Sequence, residues 1–181
     1  MRISFLASLI LFSMLSTPTV EAVEHPNEYT VKAAYLYQLS KFINWPTVDP
    51  MQHNPLHLCV FDSDPFRGAL QKIHLRKVQG REIQIHHINE DIALSNCNIL
   101  FIHNKISNNF INKQYKMLSK NNILTIGEKD DFAKKGGIIG FTLKDRKIGV
   151  EINVQAAKDA GINVSANLIE LASKVYYQRQ S

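Results

Sequence analysis

The seven histidines are the side chains of this sequence best suited to metal binding or proton transfer. His86 and His87 are adjacent in a strand-like segment, so their side chains should point to opposite faces and are poorly placed to share a metal ion. His57 lies in another strand-like segment, and no HExxH pair is present. The sequence therefore predicts no local metal site, and only distant histidines brought together by the fold could form one.

Motifs for nucleophilic catalysis and for phosphate binding are absent from the sequence. There is no GxSxG elbow, no GxGxxG and no GxxxxGK[ST]. The glycine-rich segment Gly136–Gly140 leads into a strand and not into a helix, which is typical of a turn. We predict a binding protein that is not an enzyme and that needs no cofactor. An enzyme whose site is assembled from distant residues is the alternative.

The N-terminal segment has the features of a cleavable signal peptide. Arg2 is followed by a mostly apolar run from Ile3 to Leu15, and Val20-Glu21-Ala22 is a small-residue cleavage site. The apolar run is about a dozen residues, too short to cross roughly 30 Å of hydrocarbon comfortably. We predict that residues 1–22 are removed and that residues 23–181 form one domain. An uncleaved membrane anchor is the alternative.

The chain has two cysteines, Cys59 and Cys97. An even number of cysteines in an exported protein favours a disulfide bond. Two buried free thiols are the alternative, because both cysteines adjoin apolar segments. Metal binding is less favoured, because neither cysteine belongs to a CxxC pair.

The positive charge of the chain is modest and dispersed. The formal net charge is +5, and the basic residues between Lys116 and Lys147 alternate with acidic and apolar ones. A nucleic-acid-binding surface would show a denser basic stripe with aromatic side chains. We therefore predict that the basic face is solvated and that the protein has no nucleic-acid partner. Weak attraction to an anionic envelope surface is the alternative.

Apolar spacing predicts a helix over Asn27–Ile43, ended by Trp45-Pro46. Its apolar face is expected to carry Val31, Ala34, Tyr35, Leu39 and Phe42, and its wet face Glu28, Lys32 and Lys41.

The rest of the chain alternates strand-like and helix-like segments. Strands are predicted at 56–61, 81–88, 98–102 and 122–126, a hairpin at 138–143 and 148–154, and helices at 66–73, 105–119, 156–160 and 165–176. This order predicts an α/β fold, a single-domain and mostly parallel doubly wound sheet flanked by helices, with a C-terminal edge hairpin.

Several segments, taken in order, resemble the YfiR family of periplasmic proteins. The matching segments span nearly the whole chain after residue 22 and are Val31–Leu36, Phe42–Pro46, Cys59–Val60, Asp64–Phe66, Cys97–Ile102, Gly136–Phe141, Ile152–Asn153, Ala156–Ala157 and Ile169–Ala172.

The resemblance implies a periplasmic regulator, often a homodimer, that represses an inner-membrane diguanylate cyclase through the periplasmic sensor part of that enzyme. It also implies that Cys59 and Cys97 form the disulfide shared by the family. The chain has no further cysteines, so any second bridge used by a relative for redox sensing is absent. The alternative is a module that binds a small ligand or an envelope component, unrelated to a cyclase.

Two groups of residues are candidates for partner or ligand contacts. Trp45, the only tryptophan, is the first candidate for an aromatic anchor, followed by Tyr35 and Phe42, although all three are also suited to the core.

Polar residues form the second group. Asp62 follows the first long strand, near the end where α/β sheets hold their ligands, and Asp64 with Pro65 suits a helix cap. The polar candidates for a small-ligand or partner contact are Asp62, Arg67, Arg146 and Glu151.

Overall fold

The computed structural model describes residues 27–46, 54–89, 91–106, 113–114, 118 and 120–178, with backbone only at 91–93. The predicted signal peptide lies outside the described residues, as does most of the helix predicted at 105–119. Within the described part of the chain, no helix is both long and apolar enough to cross a membrane.

Ten strands and three α-helices make up the described structure. The strands are β1 (Ile43–Asn44), β2 (Leu56–Phe61), β3 (Lys77–Val78), β4 (Arg81–Ile88), β5 (Ile99–Ile102), β6 (Leu124–Gly127), β7 (Ile139–Lys144), β8 (Lys147–Asn153), β9 (Asn163–Val164) and β10 (Lys174–Tyr176). The α-helices are α1 (Glu28–Ser40), α2 (Val154–Asp159) and α3 (Ala166–Leu171), and 3₁₀ helices cover Ala69–Lys72 and Asp91–Asn96.

Eight strands form one sheet in the order β10-β8-β7-β6-β5-β2-β4-β3, while β1 and β9 form a separate pair. Strands β4, β2, β5, β6 and β7 run parallel to one another in this order. Antiparallel pairing joins β3 to β4 and β7 to β8. The predicted single-domain, mostly parallel α/β sheet and its C-terminal hairpin are confirmed.

The central strands are apolar because both of their faces are covered. All four residues of β5 and all four of β6 are buried. On one face, Leu58, Val60 and Phe101 belong to the core that includes α1. On the other face, Cys59 and Leu100 belong to a second buried cluster.

The strand order reverses at β2. The chain passes from β2 to β4 on one side and then crosses back to β5 on the other side of β2. The loops that leave β2 and β5 therefore diverge, and a crevice forms outside the carboxyl ends of these two strands. Such a switch point is the usual ligand position in a doubly wound sheet.

Helix α1 differs from its prediction in length and in its buried face. It ends at Ser40, because Ile43 and Asn44 instead pair with β9 as strand β1. The predicted wet face is wrong at Lys32, which is buried, and the predicted apolar face is wrong at Ala34, which is exposed.

The C-terminal segment also differs from its prediction. The closing helix expected at 165–176 is only α3, and its Leu171 is 77% exposed. Strand β10 follows and pairs in parallel with β8, so that Lys174 lies opposite Glu151. The open edge of β8 offers backbone hydrogen bonds to three residues, and this pairing replaces the last turns of the helix.

A disulfide joins Cys59 in β2 to Cys97 just before β5, and both residues are 2% exposed. The pairing implied by the family resemblance is confirmed. The bond ties together the two strands that border the crevice.

We expect replacement of both cysteines, Cys59→Ala with Cys97→Ala, to lower the free energy of unfolding by about 4 kcal/mol. The reason is that the bridge closes a loop with a sequence separation of 38, which restricts the unfolded chain. Urea denaturation of the oxidised protein and of the variant measures this difference. A change below about 1 kcal/mol would contradict the stabilising role assigned to the bond.

Candidate functional site

A buried ionic network lies at the carboxyl edge of the sheet. Lys32 in α1 donates to Glu28, one turn earlier in the same helix, and to Glu128, which directly follows β6. The side chains of Lys32 and Glu128 are only 5% and 3% exposed. A buried ammonium group is tolerated only when it is paired and hydrogen-bonded, so these contacts hold α1 against the end of β6.

Tyr29 and His103 complete the network. The Tyr29 hydroxyl donates to Glu128 Oε1 at 3.1 Å and lies 3.2 Å from His103 Nε2. The Lys105 backbone N–H donates to His103 Nδ1 at 3.2 Å, which places the imidazole proton on Nε2, facing Tyr29 and Glu128. Burial, followed by the charge of Glu128, raises the pKa of Tyr29 well above its ordinary value.

A cleft of about 400 Å³ opens beside this network. Its walls are the first turn of α1 at 27–29, the loop after β2 at 63–67 and, after β5, His103 and Lys105. These walls surround the switch point between β2 and β5, where the fold predicts a ligand. The network forms the side of the cleft nearest α1, because Glu28, Tyr29 and His103 belong to both.

The acidic groups of the cleft already have partners. Glu28 is bonded to Lys32. Asp64 accepts a hydrogen bond from the Phe66 backbone N–H at 2.7 Å and lies 2.9 Å from His87 Nε2.

The two cationic side chains of the cleft, unlike the acidic ones, have no partners among the described residues. Neither the Arg67 guanidinium nor the Lys105 ammonium makes a hydrogen bond or ion pair with the described residues. The Ser63 hydroxyl, also in the wall, is buried without a hydrogen-bond partner in the described part of the chain. The cleft thus presents two cationic side chains and one hydroxyl that have no partner among the described residues.

The polar candidates from the sequence lie in two places. Arg67 lines the cleft and Asp62 begins the same loop, and both have positive φ angles, of 49° and 62°. Arg146 lies in the β7–β8 turn, and Glu151 in β8 accepts from the Tyr176 hydroxyl at 3.1 Å. Strand β8 is four strands from β2, roughly 19 Å at the usual spacing. Their role in binding stays a prediction.

The aromatic candidates are partly buried and pack against the main core. They are Tyr35, Phe42 and Trp45. The Tyr35 ring contacts Phe141 edge-on, with centroids 6.0 Å apart. Each ring therefore has a structural role and an exposed portion, and their use as partner contacts stays a prediction.

The residues of the ionic network were not predicted from the sequence. Lys32 was expected on the wet face, and no role was expected for Glu128, Tyr29 or His103. Two signals were available: Glu28 and Lys32 have the i, i+4 spacing of a helical ion pair, and His103 and Glu128 each directly follow a buried strand.

A second histidine contact lies on the β2–β4 pair. His57 Nδ1 is 2.8 Å from His86 Nε2, while His87 instead contacts Asp64. Burial, His86 and Arg81 lower the pKa of His57. No cluster of three or more potential metal ligands occurs among the described residues.

The fold is a doubly wound α/β domain with a polar cleft at its switch point. The chain belongs to the YfiR/HmsC-like family, whose sequence pattern matches residues 29–173. Proteins of this family are periplasmic regulators associated with diguanylate cyclases.

No curated protein matches the chain as a relative. Among solved structures, an "ABC domain in complex with L-Trp" from Streptococcus pneumonia aligns with a TM-score of 0.46 and 8% identity, over 82% of this chain and 60% of that one. A conserved domain protein from Vibrio cholerae aligns with a TM-score of 0.48 and 10% identity, over 79% and 59%. This chain thus spans about 60% of the length of these two proteins, and neither likeness bears on its function.

We expect Lys32→Met to lower the free energy of unfolding by about 3–5 kcal/mol, because it leaves buried Glu128 without its cation. Adding Glu128→Gln to this variant should restore at least half of the loss, because the unpaired charge is removed with it. Urea denaturation of the two single variants and the double variant measures the coupling. Lys158→Met, at an exposed position in α2, is the control and should change stability little. Additive losses in the double variant would contradict the pairing.

We expect the stability of the protein to fall as pH rises above about 10, in part because of Tyr29. Below about pH 10, Tyr29 holds its phenol proton in both the folded and the unfolded state. Above that pH the unfolded chain releases the proton, whereas folded Tyr29 retains it because its pKa is raised. The unfolded state is therefore favoured increasingly as the pH rises. Urea unfolding between pH 8 and 11 should therefore show a shallower decline for Tyr29→Phe than for the unsubstituted protein. Tyr177→Phe, at an exposed position, is the control. Equal slopes for all three proteins would exclude this role of Tyr29.

Proposed function

We propose that this protein is a periplasmic repressor of an inner-membrane diguanylate cyclase, which it holds inactive by binding the periplasmic sensor part of the enzyme. The main support for this proposal is the match of residues 29–173 to the YfiR/HmsC-like family. Low cyclic-di-GMP output is the expected consequence of the bound state.

Two structural features support a periplasmic binding role. The buried Cys59–Cys97 disulfide suits an oxidising compartment. The described residues also include three partly exposed aromatic rings, those of Tyr35, Phe42 and Trp45, and rings of this kind are common anchors in protein interfaces.

We place the contact with the cyclase at the end of α1, where Phe42 and Trp45 flank β1. Both rings pack on the main core and are only partly covered by it. The antiparallel pairing of β1 with β9 holds this segment in place, so the rings are presented on a rigid base. A rigid base limits the conformational entropy lost when a partner binds.

The cleft favours a second candidate function, that of a module that binds a small ligand without any cyclase. The cleft lies at the opposite end of α1 from Phe42 and Trp45, because the first turn of this helix forms part of the cleft wall. The two candidate functions therefore depend on different residues and can be tested separately.

The test of repression is a pull-down from solubilised inner membrane in oxidising buffer. The bait is protein purified from cells that express all 181 residues. We expect recovery of a membrane diguanylate cyclase, and Trp45→Ala should reduce that recovery about tenfold or more, the typical loss at an interface anchor. Leu143→Ala, which truncates an exposed side chain in β7, is the control and should retain full recovery.

The thermal midpoint of the Trp45→Ala bait, measured in parallel, separates lost binding from lost folding. If the oxidised and folded bait recovers no cyclase, the repressor proposal is wrong and the small-ligand module is the better account. Equal recovery by folded Trp45→Ala would retain the repressor but move its contact surface elsewhere.

A further inference from the structure

We propose that the cleft at the carboxyl ends of β2 and β5 binds a small organic anion, whose oxyanion head group contacts Arg67 and Lys105. This inference does not depend on the proposed cyclase partner. The ligand chemistry is that of a carboxylate or phosphate ester attached to a small organic body.

The sign of the ligand charge follows from which groups in the cleft are already paired. Glu28 is bonded to Lys32, and Asp64 is engaged by the Phe66 N–H and by His87, so these carboxylates have little capacity left to attract a cation. Arg67 and Lys105 have no such partners among the described residues. The cleft side chains that lack a partner among the described residues are therefore cationic, and they favour contact with an anion.

Hydrogen-bond donors are available for the same head group. The Ser63 hydroxyl is buried in the cleft wall without a partner in the described part of the chain. A buried hydroxyl without a partner has a free-energy cost that a bound acceptor removes. The Arg67 guanidinium provides a planar pair of N–H donors, which matches the geometry of carboxylate and phosphate oxygens.

The size and walls of the cleft favour an organic anion over an inorganic ion. Its volume of about 400 Å³ lies within the range of small-molecule sites. Tyr29 and Pro65 contribute ring surface to the walls, against which an apolar body can pack. The partly buried contacts of the Tyr29 hydroxyl with Glu128 and His103 hold its ring in place before a ligand arrives.

The test uses three ring compounds of similar size: benzoate, phenyl phosphate and the uncharged benzamide. Each is titrated into isotope-labelled protein from cells that express all 181 residues, and amide NMR shifts are followed. We expect benzoate or phenyl phosphate to shift amides at 63–67 and 103–105, and benzamide to leave them unchanged. Whichever anion binds more tightly identifies the head group as carboxylate or phosphate.

Substitutions separate the cleft from general charge effects. Arg67→Gln and Lys105→Gln should each raise the dissociation constant of the bound anion about tenfold, because each removes a charge-assisted hydrogen bond. Lys158→Gln removes the same charge from α2. This helix follows the end of β8 at the edge of the sheet opposite to the cleft, so the variant should leave the dissociation constant unchanged. Both cleft residues are exposed, so the variants should retain dispersed spectra that show a folded chain.

Three results would overturn the proposal. The first is that neither anion shifts the cleft amides more than benzamide does. The second is that both cleft variants bind as tightly as the unsubstituted protein. The third is that inorganic phosphate alone reproduces the shifts and affinity of phenyl phosphate, which would make the cleft a site for an inorganic ion only.

Discussion

The buried contact of Lys32 with Glu128 is the interaction on which the rest of this structure depends. A lysine ammonium group can leave water only where opposite charges and acceptors replace its hydration. Glu128 at the end of β6 and Glu28 in the same helix provide them. Helix α1 must therefore lie with its first turn over the carboxyl edge of the sheet. That position brings Tyr29 against His103 and creates one wall of the cleft.

Helix α1 connects two parts of the molecule with different chemistry. Its first turn borders the cleft lined by Arg67 and Lys105, and after its last turn the chain continues into the segment of Phe42 and Trp45. The helix has 13 residues, so these parts are separated by roughly 20 Å along its axis. The cleft and the aromatic segment therefore lie at the two ends of one packed helix.

Local patterns predicted the sheet well and the helices less well. The apolar run Ile99–Ile102 was correctly predicted as a buried parallel strand, and the hairpin of β7 and β8 follows from its turn residues. The face of α1 could not be predicted in this way, because apolar periodicity assigns every lysine to water. The end of α3 was missed because β10 forms only when the open edge of β8 is present to bond it.

The fold class and the family could be predicted from local patterns, since strand runs, turns and ordered family segments are properties of neighbouring residues. The position of the loop after β2, near the switch point of the sheet, could also be predicted. This loop contains the candidate contact residues Asp62 and Arg67. Which charges pair with one another depends on contacts that form only in the folded chain. Lys32 and Glu128 are 96 residues apart, and the free energy of their contact arises only when folding removes both from water together.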